Sequence, residues 1–489
     1  MISFCIALLI LITGYFIYGV LIERIFGIEP NRKTPAVANP DGVDFVPLPK
    51  WKIFMIQFLN IAGLGPIFGA IMGARYGTSA FLWIVFGTIF AGAVHDYLAG
   101  MISLRHNGES LPETIGRYLG LTTKQIMRAF TVILMILVGA VFVAGPAELL
   151  AMLTPEHLNS TFWIYVIFIY FIIATLFPID KIIGRIYPLF AVALLFMAIG
   201  ILGVLLIKFP DIPEITDGLK NMHPQAAESP IFPMLFISIA CGAISGFHAT
   251  QSPLMARCMT NEKQGRPIFY GAMVTEGIVA LIWAAAATYF FSPEGQQTFG
   301  VTGHESDING KAAVIVQKIS EGWLGVFGGF LAILGVIAAP ITSGDTALRS
   351  ARLIVADFIH YDQRSIIKRL IICIPIFIIA IAILIYSLAD KDGFELIWRY
   401  FAWSNQTLAV FTLWAITVYL TKKNKFYWVT LIPALFMMTV VLAYILFDPI
   451  GIGLPYATSV TISIAITGIS AIWFFYKLRI LKKADNKNT

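Results

Sequence analysis

The chain has 489 residues, of which 58% are hydrophobic and 13% charged, and 34 Lys and Arg against 28 Asp and Glu give a formal charge of +6. Soluble domains carry roughly a quarter charged residues, so a string of soluble domains is excluded, and the basic excess is a matter of membrane topology, not of a nucleic-acid partner. The four cysteines (Cys5, Cys241, Cys258, Cys373) lie in or beside apolar segments and write no disulfide framework.

Apolar runs of about 20 residues, the length needed to cross a hydrocarbon core, recur along the whole chain. They predict an all-α polytopic membrane protein with about 13 transmembrane helices, near 2–22, 51–73, 79–102, 127–153, 161–179, 187–208, 230–256, 268–291, 322–344, 370–389, 395–420, 427–447 and 458–476. No basic segment precedes the first run, which therefore reads as a retained helix and not a cleaved signal peptide. Alternating the loops puts every Lys and Arg on one side except Arg75, Lys208, Lys220, Lys311, Lys318, Lys391 and, within a span, Arg399. Cytoplasmic loops are the ones that retain Lys and Arg. The N-terminus is thus expected outside and the C-terminus in the cytoplasm, in a cytoplasmic (inner) membrane.

Taken in chain order, several spans carry residues that lipid does not favour. The second is interrupted by Gly63-Leu64-Gly65-Pro66; proline removes a backbone donor and glycine tolerates unwound dihedrals. The third holds His95-Asp96, and the fourth holds Glu148 near its outer end. The seventh contains "GAISGFHATQSP", Gly242 to Pro253, where Ser252 is placed to cap a new half-helix opening at Pro253. The eighth holds Glu276. In the outer loop 292–321, His304, Glu305 and Asp307 either bind a metal or are simply solvated. The ninth ends in Thr342, Ser343, Asp345 and Thr346, and the mixed basic and apolar stretch 346–360 is expected to lie along the cytoplasmic surface as an interfacial helix. Arg399 sits near the outer end of the eleventh.

Unwound backbone at membrane depth survives where protein or a water-filled cavity satisfies it, and half-helix ends carry partial charge toward the gap. The two breaks fall in spans two and seven. Because five is odd, spans 2–6 (51–209) and 7–11 (230–420) read as two five-helix units of opposite orientation, each opening on its broken helix. Residues 1–50 then supply a first helix and loop, 427–476 two accessory helices, and 477–489 a basic tail. The competing reading is that these glycines and prolines only serve close helix packing. Ionisable groups inside spans read as functional and histidine titrates near physiological pH, so His95, Asp96, Glu276 and His248 are candidate proton carriers; a neutral histidine bonded to a neighbouring helix is the alternative. Hydroxyls and a carboxylate suit Na⁺ or a proton at Thr342, Ser343 and Asp345, unless the hydroxyls bond back to their own helix.

The stretches "IAGLGPIFGAIMGARYG", "AGAVHDYLAGMISLRHNGESL", "GFHATQSPLMARCMTNE" and "SGDTALRSARL", spread in order from about residue 45 to residue 360, resemble the carbon starvation protein A family. That resemblance implies an inner-membrane carrier for peptides, or in some members pyruvate with protons, within the amino acid–polyamine–organocation superfamily and its leucine-transporter-like repeats. In that type of transporter the third helix of the second repeat gives hydroxyls to a sodium site shared with the first broken helix, which here matches span nine.

These readings converge on a secondary transporter, not an enzyme. It imports a short peptide or pyruvate, with the lipid bilayer and a coupling cation, H⁺ or Na⁺, as partners. Gly63, Gly65, Ser245, Gly246, His248 and Ser252 are expected around the substrate; Ala62, Thr342, Ser343, Asp345, His95, Asp96 and Glu276 are expected to serve the ion or proton. No cofactor is expected beyond a possible bound Na⁺. The rival readings are a Na⁺-coupled amino acid carrier, a channel and a membrane-embedded enzyme.

Overall fold

Glycine and proline in the middle of apolar runs decide how this chain departs from a plain bundle. The computed structural model describes residues 1–177, 183–301, 312–363, 365–389 and 393–488, and every regular element among them is helical. The candidate metal ligands His304, Glu305 and Asp307 lie outside the described residues. In chain order the principal helices are α1 (Ile2–Phe26), α2 (Lys50–Ile61), α3 (Gly65–Tyr76), α4 (Ser79–Arg105), α5 (Leu111–Leu119), α6 (Leu121–Leu153), α7 (Ser160–Leu176), α8 (Ile183–Lys208), α9 (231–238) and α10 (Gly246–Ala256). They continue with α11 (Glu262–Phe290), α12 (Ala312–Ile359), α13 (Ile366–Ala389), α14 (Gly393–Lys422), α15 (Trp428–Phe447) and α16 (Tyr456–Asn488).

Nine of the described helices are long and apolar enough to cross a membrane, and ten crossings result if α2 and α3, bent by 53° at their break, are one span. The other three expected spans coincide with α7, which is 17 residues long, with the interrupted pair α9 and α10, and with α14. Burial follows a membrane pattern. Large apolar side chains such as Ile17, Ile199, Ile378 and Ile472 are exposed on α1, α8, α13 and α16, while the interior holds polar groups such as Gln57, Asp96, His248, Glu276 and Asn405. A contiguous exposed apolar surface of this kind marks a lipid-facing wall.

Two expectations are corrected here. Residues 346–360 form no separate interfacial helix. They continue α12, whose only non-helical backbone is at Gly325 (φ 70°), and Arg349 and Arg352 are fully buried. A basic residue suits an interface only while its charge lacks an interior partner, and Asp44 supplies one to both arginines. The break in the seventh span also lies earlier than expected. The chain leaves helix at Ile239, passes Gly242 in a left-handed conformation (φ 92°), and re-enters it at Gly246 with Ser245 as the capping residue. Ser252 lies inside α10, its hydroxyl donating to His248 O at 3.0 Å, so Pro253 is accommodated within a helix instead of starting one.

Candidate functional site

The two breaks touch. A β-carbon on Gly65 would lie 2.1 Å from Cys241 Cβ, one on Gly69 2.7 Å from Ser238 O, and one on Gly242 2.6 Å from Ala280 Cβ and 3.5 Å from Pro66 Cα. Glycine therefore allows the two interrupted segments to cross in backbone contact. Pro66 stands in the first turn of α3, where its missing N–H costs nothing.

The unwound backbone between α9 and α10 finds partners on other helices. Trp83 Nε1 donates to Ile239 O (2.9 Å) and Thr88 Oγ1 to Gly242 O (2.9 Å). At the start of α10, Asn405 Oδ1 accepts from Phe247 N (2.6 Å) and from Ser245 Oγ (3.1 Å). An amide on α14 thus serves the N-terminus of this half-helix, so a substrate is not needed to satisfy it. Gly246 allows that approach, since a β-carbon there would lie 2.4 Å from Ala409 N and from Asn405 O.

Beside this crossing runs a chain of fully buried titratable groups. His95 Nδ1 meets Asp96 Oδ1 at 2.8 Å, His248 Nδ1 meets Asp96 Oδ2 at 2.9 Å, and His248 Nε2 stands 3.5 Å from Glu276 Oε2. Among the described residues no side chain donates a hydrogen bond to either Glu276 oxygen, and the backbone of Gly242 lies beside them. If His248 gives its Nδ1 proton to Asp96, its Nε2 lone pair faces a carboxylate, an arrangement that repels unless one further proton or cation lies between them. The Sγ of Cys241, the imidazole of His248 and the carboxylate of Glu276 place donor atoms within 4.8 Å of one another, the one such group among the described residues that could hold a metal ion.

The hydroxyls expected to serve a cation fall in a second polar cluster, on α12 against α2. Thr342 Oγ1 bonds back to Ala338 O (3.1 Å) and Ala339 O (2.7 Å). Ser343 Oγ lies within reach of three carbonyls, Leu59 O (3.1 Å), Asn60 O (2.8 Å) and Ala339 O (3.0 Å). Its partners are therefore one turn before Ala62 and Gly63, although Gly63 is close enough that a β-carbon would meet Ser343 Oγ at 3.1 Å. Asp345 is hydrogen-bonded by the Tyr187 hydroxyl through Oδ1, with the Tyr170 hydroxyl also beside the carboxylate, and the Asn60 amide nitrogen has no hydrogen-bond partner among the described residues.

The two ends of the bundle differ. At the end expected to be outer lies a cavity of ≈ 510 Å³, bordered by Phe68, Arg75, Glu148, Ser238, Arg399 and Asp448 among others. At the opposite end, residues 41–48 fold beneath the helices. Asp41 Oδ1 accepts from the amides of Val43, Asp44 and Phe45, and Leu48 N donates to Cys258 O (3.1 Å). Asp44 pairs with Arg349 Nη1 (3.2 Å) and Arg352 Nη2 (3.2 Å), while Arg349 also donates to Ala174 O and Phe177 O at the end of α7. Arg257 Nε donates to Gly108 O (2.9 Å) with its guanidinium over the Phe45 ring.

Of the expected site residues, Gly65, Ser245, Gly246, His248, Asp96, His95 and Glu276 gather at or beside the crossing. Gly63, Thr342, Ser343 and Asp345 belong to the second cluster, with Ala62 ending α2 between them (φ −78°, ψ 50°). Sequence reasoning missed Asn405, Thr88 and Asp44. The run Ser404-Asn405-Gln406-Thr407 inside an apolar span was a usable signal for the first; nothing local marks the other two.

Interrupted helices crossing inside a lipid-facing bundle define a multi-pass helical membrane protein, and solved structures agree at the level of fold. Two mutant crystal structures of the Eremococcus coleocola manganese transporter match with TM-scores of 0.51 and 0.50 at 14% identity, covering 92% of this chain and 99% of theirs. The family description of carbon starvation protein CstA matches residues 1–158, 147–301 and 295–443, and the chain belongs to that family. An uncharacterised membrane protein of Haemophilus influenzae is 45% identical over 60% of this chain and 92% of its own length. The peptide transporter CstA of Campylobacter jejuni is 27% identical over 95% of this chain and 82% of its own. The pyruvate/proton symporter BtsT of Escherichia coli is 28% identical over 57% of this chain and 47% of its own. The relatives that carry a functional name are transporters, not enzymes.

Proposed function

We propose that this protein is a proton-coupled secondary transporter of the cytoplasmic membrane that imports short peptides or pyruvate when carbon is limiting. In this reading thirteen spans place the N-terminus outside and the C-terminus in the cytoplasm, and spans 2–6 and 7–11 are inverted repeats whose first helices are the two broken ones. The observation that carries the reading is the contact between the breaks, with the Asp96–His248–Glu276 chain beside it. One proton between His248 and Glu276 relieves the repulsion described above. A change in the packing of the breaks alters the exposure of that proton, which is what coupling requires. The names of the CstA and BtsT relatives support peptide and pyruvate as the substrates to try first.

Ser343 favours a second reading. One hydroxyl proton cannot satisfy three carbonyls, whereas a hard cation such as Na⁺ is bound by several oxygen ligands at once. The test is uptake of pyruvate, dialanine and trialanine into sealed proteoliposomes under an imposed H⁺ gradient or an imposed Na⁺ gradient. Accumulation driven by H⁺ alone supports the proton reading, accumulation driven by Na⁺ alone replaces it with the sodium one, and equilibration without accumulation under either gradient refutes secondary active transport in favour of a channel.

A further inference from the structure

We propose that the outer cavity is a recognition site for a zwitterionic short peptide, with the peptide carboxylate held by Arg75 and Arg399 and its ammonium group by Glu148 and Asp448. The inference rests on the transporter reading and adds to it a binding site and a choice between the two substrates.

Space comes first. The breaks themselves leave no room, since even a methyl group on Gly65, Gly69 or Gly242 would overlap neighbouring atoms. The α10 N-terminus is occupied by Asn405. The cavity begins where the breaks end: Ser238, part of its lining, is the residue whose carbonyl packs on Gly69, and the next carbonyl, that of Ile239, is capped by Trp83. Its volume of ≈ 510 Å³ falls within the roughly 300–1,000 Å³ of sites for ligands of drug size. A three-carbon acid such as pyruvate would occupy a small part of it, whereas a di- or tripeptide would fill it.

Charge makes the choice sharper. The lining carries two guanidinium groups and two carboxylates. Its histidine, His223, is held below the ordinary imidazole range by burial and then by the nearby Arg75 charge, so it adds no charge at neutral pH. The described lining therefore has both signs and no net charge, which complements a zwitterion; a simple monoanion would pair with Arg75 and Arg399 but would bring no cation for Glu148 and Asp448. Arg75 and Arg399 also stand where topology disfavours them, on the side of the bundle almost bare of Lys and Arg, and Arg399 within a span. Ionisable residues kept in such places despite their cost mark ligand pathways. Apolar walls suit side chains of varied shape: Trp398 packs on Phe68 with ring centroids 6.3 Å apart, and Tyr76 stacks on His223 at 5.3 Å. Arg75, Glu148 and Arg399 already interact with other groups, so a peptide exchanges partners with them, and the gain from each charged end is that of one charge-assisted hydrogen bond.

The experiment measures equilibrium binding of radiolabelled trialanine, its C-terminal amide and its N-acetyl form to the purified full-length protein in detergent. Losing one charged end should weaken binding roughly 10- to 100-fold. Arg399→Gln should weaken trialanine by a similar factor and make C-terminal amidation nearly inconsequential, and Glu148→Gln should do the same for N-acetylation. Arg399→Lys, which keeps the charge, should retain most of the sensitivity to amidation and shows that the Gln variant acts through charge and not through misfolding. Full, independent losses from amidation and from Arg399→Gln would overturn the placement. Accumulation of pyruvate without any binding of trialanine would overturn the peptide choice yet leave the transporter reading intact, whereas failure of both substrates to accumulate would remove the transporter reading itself.

Discussion

Asp44→Asn removes the single carboxylate that two fully buried guanidinium groups share. Arg349 and Arg352 keep some hydrogen bonds, to Ala174 O, Phe177 O and Gln363 Oε1, but no ion-paired carboxylate among the described residues. Breaking a buried pair in this way costs about 3–5 kcal/mol. Arg352→Gln is milder because Asp44 and Arg349 remain as a neutral pair; the loss is that of a charged hydrogen bond, about 1.5–3 kcal/mol. The double variant should recover part of the Asp44→Asn penalty, since one of the two stranded charges is gone, with a coupling of about 0.5–3 kcal/mol. Cys258 offers the readout. Its thiol is buried, its carbonyl receives Leu48 N, and burial pushes its pKa up to about 12, so maleimide should label it slowly in the intact protein. The seal that residues 41–48 form beneath the helices, once weakened by about 3–5 kcal/mol, opens more than a hundredfold more often, and Asp44→Asn should speed labelling accordingly.

The pH dependence has a definite sign. Burial alone would raise the Asp44 pKa, but the charges of Arg352, Arg349 and Arg257 outweigh it and hold the carboxyl below its usual range. A depressed carboxylate stabilises the fold fully above its unfolded pKa and loses that contribution as pH falls through the folded one. The seal should therefore be constant through the neutral range and fail only in strong acid. Labelling of Cys258 in Asp44→Asn at the wild-type rate, or equally fast labelling in Arg352→Gln, would refute the reasoning.

Three further outcomes are expected. Gly65→Ala puts a methyl group 2.1 Å from Cys241 Cβ and should abolish uptake while the protein still reaches the membrane, as measured by transport against expression; wild-type uptake would mean that the breaks need not touch. His248→Gln removes the group between Asp96 and Glu276, so accumulation driven by a pH gradient should be lost while substrate exchange persists in a counterflow assay; persistent H⁺-driven accumulation would exclude His248 from coupling. Asn405→Ala leaves the Phe247 amide and the Ser245 hydroxyl without their acceptor, at a cost of about 1–3 kcal/mol, visible as earlier thermal unfolding in detergent.

Much of the helical organisation could be read from the sequence because apolar length and loop charge are local properties. Each expected span coincides with a helix or an interrupted helix, and Gly63 to Pro66 marked the first break to within a residue or two. Locating the second break failed at Ser252 because a serine followed by proline is a capping signal only where the chain has already left the helix, and Gly242, which supplies the left-handed turn, lies ten residues earlier. His95, Asp96, His248 and Glu276 were each noticeable as ionisable residues in apolar runs. That they form one chain depends on how α4, α10 and α11 pack, which no single span encodes. The stretch 346–360 misled for a related reason: its arginines look amphipathic until Asp44, some 300 residues away, is brought beside them.

The length of α12 has a mechanical consequence. It has 48 residues and no break after Gly325, so at about 1.5 Å per residue it extends some 50 Å beyond that point, well past a hydrocarbon core of about 30 Å. Ser343, which touches the carbonyls at the end of α2, and Arg349, which latches onto Asp44, ride on this one rod roughly 9 Å apart. An uninterrupted helix transmits rotation without slack, so whatever turns Ser343 turns the latch by the same angle. One residue inserted between them would swing both arginines about 100° around the axis and uncouple the two ends of the molecule without altering a single charge.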